Sequence, residues 1–136
     1  SSQELELKNM EFKAGDKLKI KGLILHDADR FQIDLGYDEE DLALHFNPRF
    51  NDELDGTVFV CNSKAAGCWG EEKREINNTQ NRKGQGETIM VTFSGDMFEV
   101  ELPDDQEVHF PNREDVDIIK YLRIRGDFKL TSFKIC

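Results

Sequence analysis

The chain has 136 residues, 38% hydrophobic and 34% charged, with a formal net charge of −10. That composition excludes the disordered class and, at this length, fits one domain spanning residues 1–136. The summed negative field opposes nucleic-acid backbones and anionic membrane surfaces, and Lys and Arg form no block of five that would reverse it locally, so a neutral ligand is expected.

The opening stretch, "SSQELELKNMEF", carries charges where a secretory leader needs an apolar run. No later segment approaches the ~18 consecutive apolar residues of a membrane span, so neither a leader nor membrane insertion is expected. Apolar residues then alternate with polar ones: Leu18 and Ile20, then Phe31, Ile33 and Leu35, in the period-two pattern of half-buried strands. Turn signals separate the runs, among them Ala14-Gly15-Asp16, Asp27-Ala28-Asp29, Asp55-Gly56, Ser94-Gly95-Asp96 and Pro103-Asp104-Asp105.

In "LALHFNPRF" (42–50), Leu42, Leu44, Phe46 and Pro48 share one parity, and His45, Asn47 and Arg49 the other. One strand face is therefore apolar, and the other carries an imidazole, an amide and a guanidinium. Alternation of this kind is most simply a solvated sheet face. Pro48 cannot donate to a ladder, which places it at a strand end, an edge or a bulge. The next strand, "TVFVCN" (57–62), ends in Asn62, and "WGEEKRE" (69–75) follows, with the only tryptophan, Trp69, and with Glu72 and Arg74 on one parity. Trp69 sits among glycines and glutamates, a setting poor in core partners, so it is expected to be exposed.

Asn77-Asn78-Thr79 matches a glycosylation acceptor, read here as an unmodified exposed loop. Further alternation follows at Phe98, Val100 and Leu102. Only "NREDVDIIKYL" (112–122) is suited to a turn or two of helix. After Gly126-Asp127, apolar parity shifts from Phe128 and Leu130 to Phe133 and Ile135, which calls for a bulge near Thr131-Ser132. Short strands at this spacing describe an all-β antiparallel sandwich or barrel. The three cysteines, Cys61, Cys68 and Cys136, have no CxxC pairing and read as free thiols in a reducing compartment, with no disulfide framework or zinc site.

His45, Asn47, Arg49, Asn62, Trp69, Glu72 and Arg74 together combine planar bidentate groups with one large flat apolar surface. A pyranose needs that combination, because its neighbouring hydroxyls both donate and accept while one ring face is largely C–H. Galactose suits it best among common hexoses: its axial 4-hydroxyl leaves a continuous C–H patch opposite. A glycosidase built on Glu72 with Asp55 or Glu71 is the alternative from another class. Flanking arginines would keep Glu72 ionised and unfit as a general acid.

"HFNPR" (45–49), "VCN" (60–62) and "WGEEKRE" (69–75) resemble the carbohydrate-recognition motif of the galectins, and "FPNR" (110–113) and "GDFKL" (126–130) resemble later segments of that family. The resemblance covers essentially the whole chain. It implies a two-sheet antiparallel β-sandwich of jelly-roll, concanavalin-like type with a β-galactoside site on the concave face of one sheet. It further implies that His45, Asn47 and Arg49 hydrogen-bond the galactose 4-hydroxyl and ring-oxygen region, that Asn62 and Glu72 hold the 6-hydroxyl, and that Trp69 stacks under the ring. Arg49, Glu72 and Arg74 would also reach the second sugar of lactose or N-acetyllactosamine. No metal, cofactor or chemical step is implied.

The likeness is strongest to single-domain members that form noncovalent homodimers, cross-link glycoproteins and glycolipids, and act in the cytosol and outside the cell. Glu53, where many dimeric members carry histidine, is expected to disfavour anionic galactosides, and the polar segment 76–87 departs from an apolar strand in relatives. A galectin-related structural or interaction protein without sugar binding is the competing reading within the family.

Overall fold

The computed structural model describes residues 3–76 and 83–136. Among these residues there are twelve strands and no helix. They are β1 (Gln3–Lys13), β2 (Lys17–Ile24), β3 (Phe31–Asp38), β4 (Asp41–Asp52), β5 (Gly56–Ala65), β6 (Cys68–Trp69), β7 (Lys73–Ile76), β8 (Gly86–Phe93), β9 (Met97–Leu102), β10 (Gln106–Pro111), β11 (Ile118–Gly126) and β12 (Phe128–Ile135). One antiparallel sheet runs β1-β11-β3-β4-β5-β6, with β7 also on β5; the second runs β10-β9-β8-β2-β12. The two form a sandwich, as the alternation predicts.

Period-two patterning decides which residues fill the space between the sheets. On β2, Leu18, Ile20, Gly22 and Ile24 are buried while Lys17 and Lys21 are exposed. The core takes in Phe12, Ile33, Leu44, Phe46, Val91, Phe93, Phe98, Phe110, Leu122 and Phe128, drawn from both layers. Phe93 and Phe98 stack at 4.7 Å, and Phe31 and Phe128 at 4.8 Å. Burying each such ring contributes about 1.5–3 kcal/mol.

The chain changes sheets between β11 and β12. Gly126 adopts φ +110° there, and a Cβ at this position would stand 2.7 Å from the Phe31 Cα. The turn aims the Asp127 carboxylate at the backbone N–H groups of Asp29 (2.9 Å) and Arg30 (3.2 Å), which both donate to it. The predicted bulge is present, as the β2–β12 register shifts between Leu130 and Ser132.

Three expectations are corrected. Residues 112–116 form a turn in which Asn112 Nδ2 donates to the Gly95 and Val116 carbonyls, and β11 begins at Ile118, so the helix-like spacing of Val116 and Ile119 is incidental. Leu42 is buried, yet it lies outside the core cluster: the β3–β4 register shifts between Leu35↔Leu44 and Gly36↔Leu42, so Ala43 joins Leu44 in the core instead. Pro48 is at neither an end nor an edge but inside β4, between β3 and β5. The sheet accommodates it because the β3–β4 ladder lapses after Ile33↔Phe46 and returns only as the isolated bridge Arg30↔Arg49. In that gap Asn47 Nδ2 donates to the Phe31 carbonyl at 2.7 Å. The 77–79 sequon and residues 77–82 of the polar 76–87 segment lie outside the described residues.

Cys61 is fully buried and Cys68 and Cys136 are exposed, all three as free thiols. Burial pushes the Cys61 thiol up to about 12. A thiol reagent at pH 8 is expected to modify two cysteines in the folded protein and three after denaturation; rapid labelling of all three in the native state would contradict this packing.

Candidate carbohydrate-binding groove

Strand register assembles the site row by row. Arg123 on β11 pairs Asp34 on β3, Asp34 pairs His45 on β4, and His45 pairs Asn62 on β5. Directly opposed residues project to the same face, so four polar groups from four strands stand in one line. Two residues along, Asn47 pairs Val60, which pairs Arg74 on β7; Arg49 pairs Val58.

Asp34 anchors the first row. It is fully buried, and its carboxylate accepts from His45 Nδ1 (2.6 Å), Arg123 Nε (3.1 Å) and Gln32 Nε2 (2.6 Å). Burial alone would raise this carboxyl, but the hydrogen bonds from His45 and Gln32 and the charges of His45 and Arg123 outweigh it and hold it below the usual carboxylate range. Because an ionised carboxylate only accepts, Nδ1 of His45 carries the proton and Nε2 is the ring nitrogen left for a ligand. The imidazole also sits 4.7 Å from the Trp69 ring, centroid to centroid.

A second acid, Asp52, organises the other end. Its Oδ1 accepts from Arg49 Nη1 at 3.2 Å and its Oδ2 from Arg74 Nη2 at 2.5 Å. Oδ2 also accepts from the N–H groups of Leu54 and Asp55, both at 3.1 Å. Desolvation raises the Asp52 carboxyl, and the hydrogen bonds from Asp55, Arg49 and Leu54 with the Arg74 charge bring it below its ordinary value. Arg49 Nε donates to Asn47 Oδ1 at 2.9 Å, which fixes the amide's orientation on the groove wall. Arg74 donates from Nε to Asp55 (2.9 Å) and from Nη1 to Glu72 (3.1 Å), and Arg49 Nη2 lies 3.8 Å from Glu72.

The groove enclosed by these rows has a volume of about 460 Å³. Six of the seven residues singled out from sequence line it: His45, Asn47, Arg49, Asn62, Trp69 and Glu72. Arg74 does not. Its guanidinium is held by Asp52, Asp55 and Glu72, and so braces the Glu72 side chain. Trp69 is 50% exposed, consistent with the loop composition around it. Asn62 Nδ2 donates to the Gly70 carbonyl at 3.0 Å, which ties the Trp69 segment to β5.

Sequence reasoning missed Asp34 and Asp52, the two acids that orient the ring and guanidinium groups, and also Arg30, Gln32 and Arg125, which extend the groove across β3 and β11. The alternation of "FQIDLG" marks Gln32 and Asp34 as sharing the polar parity of a strand, but nothing local pairs them with His45. Among the described residues no cluster of His, Cys, Asp and Glu is suited to a metal ion, and no helix is long and apolar enough to cross a membrane.

The profile described as "Galactoside-binding lectin" matches residues 4–135. Human galectin-2 is 44% identical over 132 residues, covering 97% of this chain and 96% of its own, and bovine galectin-1 is 41% identical over 122 residues, 90% of each. Among solved structures, chicken galectin 2 superposes with a TM-score of 0.89 at 49% identity, covering 96% of this chain and 97% of its own. A homodimeric agglutinin from chicken liver, CG-16, reaches a TM-score of 0.92 at 38% identity over 98% of this chain and 100% of its own. The sequence motifs, the two-sheet fold and these similarities agree: the chain belongs to the galectin family of galactoside-binding lectins.

Proposed function

We propose that the protein binds β-galactosides of the lactose and N-acetyllactosamine type in the groove on the seven-stranded sheet and cross-links the glycoconjugates that carry them. Members of its family are carbohydrate-binding lectins and not enzymes. The observation that carries the reading is the pre-set polar wall beside an exposed aromatic face: His45, Asn47, Arg49 and Glu72 are each held by a neighbour, and Trp69 stands next to them. Side chains already ordered lose little entropy when a sugar arrives. Trp69 supplies the floor for the C–H face of galactose, His45, Asn47 and Arg49 meet the 4-hydroxyl, and Asn62 and Glu72 meet the 6-hydroxyl. Arg74 holds Glu72, and with Arg49 and Glu72 it would reach the second sugar.

Cross-linking requires two sites per particle. Strands β1 and β12 are free edges of the two sheets on the same flank, and they would extend both sheets across a noncovalent homodimer. Pairing two weak sites raises avidity at a glycan-covered surface. The protein would act on glycoproteins and glycolipids outside the cell and also reside in the cytosol.

A lactose titration followed by tryptophan fluorescence tests the site, because Trp69 is the only tryptophan. Emission is expected to change and saturate with lactose at a micromolar to millimolar Kd, and sucrose is expected to have no effect. An unchanged spectrum together with failure to stay on lactose-agarose would overturn the proposal and favour a family member that works through protein contacts.

A further inference from the structure

The outer face of the five-stranded sheet is divided by charge. Following the register across all five strands, Lys134 on β12 pairs Lys19 on β2, Lys19 pairs Met90 on β8, Met90 pairs Glu101 on β9, and Glu101 pairs Glu107 on β10. The adjacent row repeats the gradient from Lys17 through Thr92 to Glu99. Lys21 opposite Ser132, and Lys129 opposite Leu23, complete the basic side. Five lysines from two segments far apart in sequence thus share one strip on a chain of net charge −10. A search for contiguous basic blocks misses them because strand pairing, not chain order, collects them.

None of these five lysines forms an ion pair with a carboxylate among the described residues. Lys19, Lys21, Lys134, Ser132 and Phe133 line a shallow depression of about 180 Å³. Lysines two apart on a strand stand about 6.5–7 Å apart, and neighbouring strands about 4.8 Å. The strip is therefore narrow and long, and at physiological salt the screening length of about 8 Å shields it from the glutamates across the sheet.

We propose that this strip is a second site, on the sheet opposite the galactoside groove, for a linear sulfated glycan. Lysine ammonium groups suit point-like sulfates, and Ser132 and Thr88 on the same face can meet sugar hydroxyls. The shape of the charge selects this occupant. A flat anionic bilayer would press on Glu99, Glu101 and Glu107 as well as on the lysines, whereas a chain lying along β2 and β12 avoids them. A single-stranded nucleic acid calls for a run of aromatic platforms, and the depression's lining offers one aromatic ring, Phe133, which is partly buried against the core on the parity of Ile20.

The test is calorimetry with a heparin-derived hexasaccharide on the lactose-saturated protein, with its desulfated form, inorganic sulfate and phosphatidylserine vesicles in parallel. Binding of the sulfated oligosaccharide is expected to persist in saturating lactose and to weaken steadily as salt rises. The variant K19E/K21E is expected to lower that affinity about tenfold or more while its lactose affinity and Tm stay unchanged, both residues being surface lysines outside the groove. Loss of the heat in lactose would place binding in the galactoside groove and overturn the proposal. So would equal binding by the variant, equal binding of the desulfated form, or binding of vesicles without the oligosaccharide. If the oligosaccharide gives no heat but the variant changes the mass in sedimentation, the strip is an interface between copies of the chain. Because the readout is taken with lactose bound, its failure leaves the groove's own function standing.

Discussion

Replacing Asp34 with Ala is expected to destabilise the folded protein by about 3–5 kcal/mol, the cost of breaking a buried ion pair by removing one partner. Arg123 loses its buried counter-charge, leaving it Glu39 at 3.6 Å among the described residues, and His45 loses the acceptor that fixes its tautomer. For a chain of this size that loss should lower Tm by roughly 10 °C or more. Lactose affinity should fall too, because a ring free to present either nitrogen is no longer set for the sugar. Asp34→Asn, which keeps the shape without the charge, covers the case in which the Ala variant does not fold. It should be less damaging to stability and still impair binding.

The pH dependence gives an independent check with a defined sign. Asp34 is held below its unfolded carboxyl value of about 3.9, so its stabilisation is complete above that value and disappears as pH falls through the lower folded one. Denaturant unfolding should therefore show a constant gap between wild type and Asp34→Ala from neutral pH to about 5, narrowing under more acid conditions. A variant within about 1 kcal/mol of wild type at pH 7 would mean that Asp34 does not anchor the sheet as described.

Asp34 also shows where local sequence stops being informative. The strands, the outward Trp69 and the bulge near Ser132 follow from alternation and turn chemistry, because each is decided within a few residues. Asp34 in "FQIDLG" has the parity of a solvated position, and its complete burial results from Arg123 and His45 arriving beside it from β11 and β4. The Ala43 irregularity that moves Leu42 out of the core leaves "DLALHF" looking like uninterrupted alternation. Arg74 has the parity of a groove residue, but its ion pairs with Asp52 and Asp55, about twenty residues earlier, are not legible from that parity. Pairings between strands decide all three cases, as they decide the lysine strip.

Asp52 is where that kind of pairing should matter most for binding. Asp52→Ala is expected to weaken lactose about tenfold to a hundredfold with a smaller change in Tm than Asp34→Ala, because its partners are part-buried and belong to the site, not the core. Its loss frees Arg49 Nη1 and Arg74 Nη2 together and removes the acceptor for the Leu54 and Asp55 N–H groups. Arg74 keeps Asp55 and Glu72, so Glu72 stays partly held, and Arg49 keeps Asn47. Asp52→Asn, which can still accept from the loop N–H groups but carries no charge, should fall between wild type and Ala. If the acid acts through Arg74, the losses in Asp52→Ala and Arg74→Ala should be markedly less than additive in the double variant. Additive losses would mean that the two residues act separately, and an Asp52→Ala protein binding lactose within twofold of wild type would show that the wall orders itself without this carboxylate.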